Sequence, residues 1–417
     1  MRDTFVQFTS GLQIQRGILY EPVTPCEKSK IGIIIIHSNS DYSTWDICAE
    51  LAKRGYRTVG GQVTDPNGSM DAKILDIKRV VEFMRSYPGI EKVVLLGHSG
   101  GATLMTAYQC AAENGPQVFQ GDEKLIKCSI TEPLSPADAL MALDANWGNG
   151  AMTLTSVDPA VVQDGNDIKL DPELDIFSPA NGFDPEGANY SDAFIDKYCK
   201  AQAERNNKIV KYALERLHAL EAGKSFFVDD EPLVIPGAAL FGPCNKLFPQ
   251  DLRLLSRTKG KYDLLHGDGT VTNGIIRSVR RPMFTKTMTT SIFSTLRTTV
   301  RNFLRENAVI ALPNYRIRED GIEGIDWTRG YNCPTSCIKG VSVPLLCMGM
   351  TAGYEFLASE LLYENATTKD KTLAFVSGAN HVFQTCTECE AFPGQFGDTQ
   401  KTLCDYVDRW LAEKLMD

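Results

Sequence analysis

Val93-Val94-Leu95-Leu96-Gly97-His98-Ser99-Gly100-Gly101-Ala102-Thr103-Leu104 joins an apolar run, a G-x-S-x-G turn and the start of a helical pattern. A serine between glycines on such a strand-to-helix turn reads as a nucleophile elbow. The turn is too sharp for side chains on its flanks, and the serine backbone is itself strained. That geometry pushes Oγ out of the sheet. It also aims the first N–H groups of the helix at the space beside Oγ, where they can hold a developing oxyanion.

The pattern on either side is consistent with this reading. Ile31-Gly32-Ile33-Ile34-Ile35-Ile36 is an almost unbroken β-branched run, as expected of a central parallel strand covered on both faces. A loop, His37-Ser38-Asn39-Ser40-Asp41, follows it. Helices are expected over about 44–54 and 71–86, the second with Ile74, Ile77, Val80, Val81 and Met84 on one face. Tyr56-Arg57-Thr58-Val59 and Leu140-Met141-Ala142-Leu143-Asp144 read as further strands. Strand–helix alternation of this kind builds a mostly parallel sheet with helices on both faces, and its reactive groups sit at the carboxyl ends of the strands.

The alternation stops after Trp147-Gly148 and resumes at Val343-Pro344-Leu345-Leu346-Cys347-Met348-Gly349. Between them lie helical stretches over about 192–222 and 289–306 and loop-rich sequence with Pro232, Pro236, Pro243 and Pro249. Three segments follow: core over 1–147, a large, mainly helical insertion over 148–339, and core again over 340–417. A strand at 372–376 and a terminal helix at about 399–414 close the chain.

A serine hydroxyl needs a base. The chain has 5 histidines, so elimination is short. His98 lies inside the elbow and should point away from the serine. His37 ends an interior strand and shapes the loop after it. His218 sits on the long helix of the insertion, and His266 in one of its loops. His381, in Ser377-Gly378-Ala379-Asn380-His381, follows the last strand and is the expected base. Its carboxylate partner is ambiguous. Glu355 is the first choice, being the nearest acid after the strand at 343–349; Asp144 is the alternative, and Glu360 is third. The oxyanion donors expected are Gly100 N–H and, from the loop after the isoleucine run, Asn39 or Ser38. Trp147, close behind a strand end, is the best candidate for the substrate pocket.

Composition narrows the class. Apolar residues make up 43%, charged residues 23%, and the net charge is −9, which disfavours nucleic acid and anionic membranes as partners. No apolar run is long enough to span a bilayer and the N-terminus lacks a signal-peptide core, so a cytoplasmic location is expected. The 12 cysteines are scattered and read as free thiols; Cys386-x-x-Cys389 with Cys333 and Cys337 gives only a loose zinc or disulfide pattern. No metal motif, phosphate loop or dinucleotide fingerprint appears, so no cofactor is expected. Gly267-Asp268-Gly269 is a hairpin-type turn signal.

With elbow, oxyanion loop and late histidine in order, the chain resembles the α/β-hydrolase superfamily over roughly residues 28–147 and 340–417. The residues between look like the cap that many members insert after the sixth strand. The resemblance departs in two places: Ala352 stands where the usual acid would be, and the oxyanion loop reads His-Ser-Asn. It implies an α/β-hydrolase fold and a serine hydrolase acting on an ester or lactone of a small apolar or aromatic molecule. Carbon–carbon bond hydrolysis, lyase or cyclase chemistry, and non-catalytic ligand binding are the alternatives on the same fold. The expected partner is a small-molecule substrate, with a homodimer left open.

Overall fold

The computed structural model describes residues 1–10, 13–163, 169–238, 246–282 and 295–416. Its centre is a ten-stranded sheet. In chain order the strands are β1 (Arg2–Ser10), β2 (Gln13–Glu21), β3 (Ile31–His37), β4 (Arg57–Gln62), β5 (Lys92–Ser99), β6 (Ala139–Ala145), β7 (Arg257–Leu265), β8 (Val271–Arg277), β9 (Leu345–Met350) and β10 (Lys371–Val376). Their spatial order is β1-β2-β4-β3-β5-β6-β9-β10-β7-β8. The strands from β4 to β7 run parallel; β1, β2 and β8 are antiparallel to their neighbours. A sheet of this order, with the elbow after β5 and helices on both faces, is the α/β-hydrolase fold.

The isoleucine run shows why the sheet is buried on both sides. Every residue of β3 is buried. Ile34 and Ile36 face a core built with Ile74, Ile77, Val80 and Met84 of α2 (Met70–Ser86) and Leu104 and Met105 of α3 (Gly100–Asn114). Ile33 and Ile35 face the other core, with Ile47 and Leu51 of α1 (Asp46–Lys53) and Leu403, Val407 and Trp410 of the terminal helix (Thr399–Leu415). Alternate side chains of one strand thus serve two layers.

The insertion is less helical than its sequence suggests. Among the described residues its one long helix, α4 (Asp192–Glu221), lies against the strand Ile310–Arg318. Asn207 completes that contact: its side chain donates to Ala311 O (2.8 Å) and accepts from Ala311 N (3.0 Å). The helical stretch expected over 289–306 begins outside the described residues. Leu296–Thr299 is a strand paired with Pro232–Ile235, and only Val300–Asn307 is helical. The hairpin β7–β8 belongs to the main sheet, β7 pairing parallel with β10. Its turn is the Gly267-Asp268-Gly269 signal, closed by His266 N–H on Thr270 O (3.0 Å). β7 escaped detection because Arg257-Thr258-Lys259-Gly260-Lys261 lacks the apolar run of a central strand.

Among the described residues, no helix is long and apolar enough to cross a membrane. Cys386 and Cys389 form a disulfide, against the free thiols expected there, while Cys333 and Cys337 are free and buried.

A buried ion pair fastens the insertion to the core. Lys73 Nζ of α2 lies 3.2 Å from Glu306, whose carboxylate also accepts from Asn149 (3.2 Å) and Asn332 (2.8 Å). Removing one member leaves the other charged and unpaired inside the protein. Lys73→Ala should therefore lower the stability by about 3 kcal/mol, read from urea unfolding; a change within experimental error would show that the pair anchors nothing.

Candidate active site

Ser99 is the residue between β5 and α3, with φ 53° and ψ −126°. This is a conformation that an L-residue adopts only when its surroundings hold it there. The glycines make it possible. A side chain on Gly97 would begin 2.4 Å from Ala102 Cα, and one on Gly101 would begin 2.7 Å from Ile36 O. The helix therefore starts tight against β5 and β3.

The neighbouring strand carries the second irregularity. His98 pairs with Leu143 but Ser99 pairs with Ala145, so Asp144 is the extra residue of a bulge. Its φ is 45°. The bulge directs the carboxylate toward the ends of β9 and β10. Oδ1 accepts the Met350 N–H (2.9 Å) and Oδ2 accepts Nδ1–H of His381 (2.7 Å). A ring nitrogen that donates to a carboxylate leaves Nε2 as the acceptor.

The structure thus brings Asp144, not Glu355, into hydrogen-bond contact with His381. Glu355 stands immediately before α5 (Phe356–Asn365) and makes no hydrogen bond to the imidazole. Glu360 is further off, accepting N–H groups of Lys259 and Gly260. Burial pushes the Asp144 carboxyl up to about 6, opposed by its bond from His381. His381 is raised to about 9: burial opposes its charge, but the fields of Glu355 and Asp144 and the bond to Asp144 outweigh it.

The loop bearing His381 is tied at several points. Gly378 N–H donates to Thr351 Oγ1 (2.8 Å), and Ala352 N–H to Ala379 O (2.9 Å). His98 makes the third link, which the sequence reading missed. Its Nε2–H donates to His381 O (2.6 Å), and its Nδ1 accepts from Tyr42 Oη (2.6 Å). A carbonyl can only accept, so the tautomer is fixed. Burial and the charge of His381 hold this ring well below the ordinary histidine value. The elbow's own histidine therefore braces the loop opposite.

The loop after β3 differs from expectation. His37 Nδ1 accepts the N–H groups of both Asn39 (3.0 Å) and Ser40 (3.1 Å). The side chain of Asn39 donates to Pro66 O (3.0 Å) and accepts from Ser38 Oγ (2.6 Å). Asn39 is therefore committed to its own loop and is not free as an oxyanion donor. Ser38 lies nearer the elbow: a side chain on Gly100 would begin 2.5 Å from its Oγ. His37 itself, lowered to about 4 chiefly by burial, stays neutral.

Trp147 is buried, parallel to Tyr354 at 6.5 Å and edge-on to Phe248. With Tyr262, Ile322, Leu357 and Leu361, and with the charged Lys259, Asp320, Glu360 and Glu364, it lines a cavity of about 410 Å³ whose walls include neither Ser99 nor His381. Further along the chain Phe177 packs on Phe183, and Tyr190 on Phe194. Phe226 is exposed. His218 is exposed on α4, and His266 bonds Thr272 Oγ1 across the hairpin (2.8 Å). Among the described residues the one cluster with metal-ligand spacing is Cys386, Glu388 and Cys389, whose two sulfurs are joined to each other.

No family model matches the chain, and no curated protein does. Similar solved structures include Est1E from Butyrivibrio proteoclasticus, at 10% identity over 99% of both chains with a TM-score of 0.43. Dienelactone hydrolase from Anabaena variabilis is 9% identical over 99% of this chain and 98% of that one, with a TM-score of 0.39. Monoacylglycerol lipase from Paleococcus ferrophilus is 12% identical over 99% of this chain and all of that one, with a TM-score of 0.38. At these values the comparisons assign neither activity nor substrate.

His98→Leu removes two buried hydrogen bonds and leaves the Tyr42 hydroxyl and His381 carbonyl unpaired. The expected cost is about 1–3 kcal/mol, measured by denaturant unfolding; a fully stable variant would refute the bracing role.

Proposed function

We propose that the chain is a serine hydrolase that cleaves an ester or lactone of a small apolar or aromatic molecule through an acyl-enzyme on Ser99. The observation that carries this reading is the pairing of two strained residues at adjacent strand ends. Ser99 stands on the elbow, and Asp144, one bulge away, holds the Nδ1 side of His381.

In this reading His381 Nε2 takes the Ser99 proton as Oγ bonds to the substrate carbonyl carbon. The carbonyl oxygen becomes an oxyanion, held by the N–H of Gly100 and by the Ser38 end of the loop after β3. The carbon–oxygen bond to the leaving group then breaks, and that group takes the proton from His381. Water, deprotonated by the same nitrogen, later releases the acid. The buried aromatic cluster of Trp147, Phe248 and Tyr354, which begins three residues after Asp144, supports an apolar or aromatic substrate.

Ser99→Ala should reduce hydrolysis of a p-nitrophenyl ester by about 10³-fold or more, and a fluorophosphonate should label wild type but not the variant. Equal turnover by the two proteins would end the proposal. Asp144→Asn should cost about 10²-fold or more in kcat, and more than Glu355→Gln; the reverse ranking would return Glu355 as the acid.

The pH profile gives an independent check. His381 must be neutral to accept a proton, and its pKa is raised from 6.5 to about 9. Rate constants measured as kcat/KM should therefore still be rising between pH 7 and 9. A limb centred at or below the ordinary histidine value would contradict the arrangement.

A further inference from the structure

Glu355 lies beside the Asp144–His381 pair without bonding to either, and a buried cation, Arg280, acts on it. Glu355 occupies the position before α5 where a side chain often caps the helix, yet its own makes no capping bond. It is 8% exposed, and its carboxylate has no hydrogen-bond partner among the described residues. A side chain on Gly353 would begin 3.7 Å from Glu355 Oε2 and 3.8 Å from Asp144 Oδ2, so the two carboxylates border the same small space. The groups facing this space are few. Arg280, 5% exposed, donates to the carbonyls of Leu255 (2.7 Å), Phe248 (2.9 Å) and Leu254 (2.5 Å), and its positive charge acts on Glu355. His98 and His37, on the elbow and β3 sides of His381, are neutral. Lys73 acts on His37.

We propose that Glu355 is a positioning residue of the triad, a second carboxylate beside the Asp144–His381 pair that stabilises the imidazolium formed when Ser99 gives up its proton. The inference rests on the hydrolase reading. The two carboxylates divide the work: Asp144 orients the ring by a direct bond, while Glu355 acts on its charge from a distance without fixing its direction. A second anion close to the carboxylate that holds the imidazole favours its protonated form. That favours proton uptake in the transition state and moves the working range of the base to higher pH.

The test is an NMR titration of the His381 ring in Ser99→Ala protein, which needs no turnover and so is decided separately from the hydrolase reading. Adding Glu355→Gln should lower the ring's midpoint by about one pH unit, and Glu355→Asp should restore most of it. Glu355→Ala serves as a second uncharged variant, so that one folded protein of the two suffices. An unchanged midpoint in either uncharged variant overturns the proposal. In otherwise wild-type protein the acid limb of kcat/KM should move down with the midpoint, and a drop in kcat with an unmoved limb would show a structural role only.

Discussion

One carboxylate joins three strand ends. Asp144 leaves β6 at a bulge beside the elbow, takes the N–H that closes β9, and holds the imidazole carried by the loop after β10. Neither contact could form from a regular strand, because the pleat would send this side chain to a sheet face. The positive φ is what turns it along the strand axis. Such a backbone costs on the order of 1–3 kcal/mol, and the same holds for Ser99 one strand away. The parallel ladder beneath both, buried on two sides, is rigid enough to keep them there.

The surroundings of the histidines follow the same logic. His98, His37 and His381 lie close together, yet their environments separate them. The first two are buried and stay neutral: His98 spends both ring nitrogens on bracing, and His37 spends Nδ1 on closing its loop. The third is a third exposed and faces acids, so it is the one that gains a proton readily. Residue type alone would not distinguish them; the partners do.

Much of the fold was legible because its signals are local. The isoleucine run, the glycines at 97, 100 and 101 and the period of α2 each require a particular structure within a few residues. The placing of Ser99 and His381 at strand ends was legible for the same reason, since both follow strands with clear apolar signatures. The carboxylate that bonds His381 was not. Choosing Asp144 over Glu355 requires knowing that β6 bulges at this residue, and a bulge at a non-glycine residue has no mark in the sequence. Asn39 failed similarly: its N–H is claimed by a side chain two residues earlier, a contact that depends on how the loop curls. The turn of the β7–β8 hairpin was read but its strands were not, because β8 is an edge strand and β7 opens on a polar run.

That hairpin changes what the insertion can do. A cap joined to its core by two linkers can swing as a unit, like a door. Here the inserted chain returns to the sheet midway, and β7 is stitched by its backbone along β10, whose C-terminal loop carries the base. A door nailed at its middle does not swing. The spans before Arg257 and after Arg277 are therefore each tied to the sheet at one end as well as to the core at the other. The inserted chain is thus fastened to the core on the very strand that leads into the His381 loop, so its anchor and that loop share one backbone.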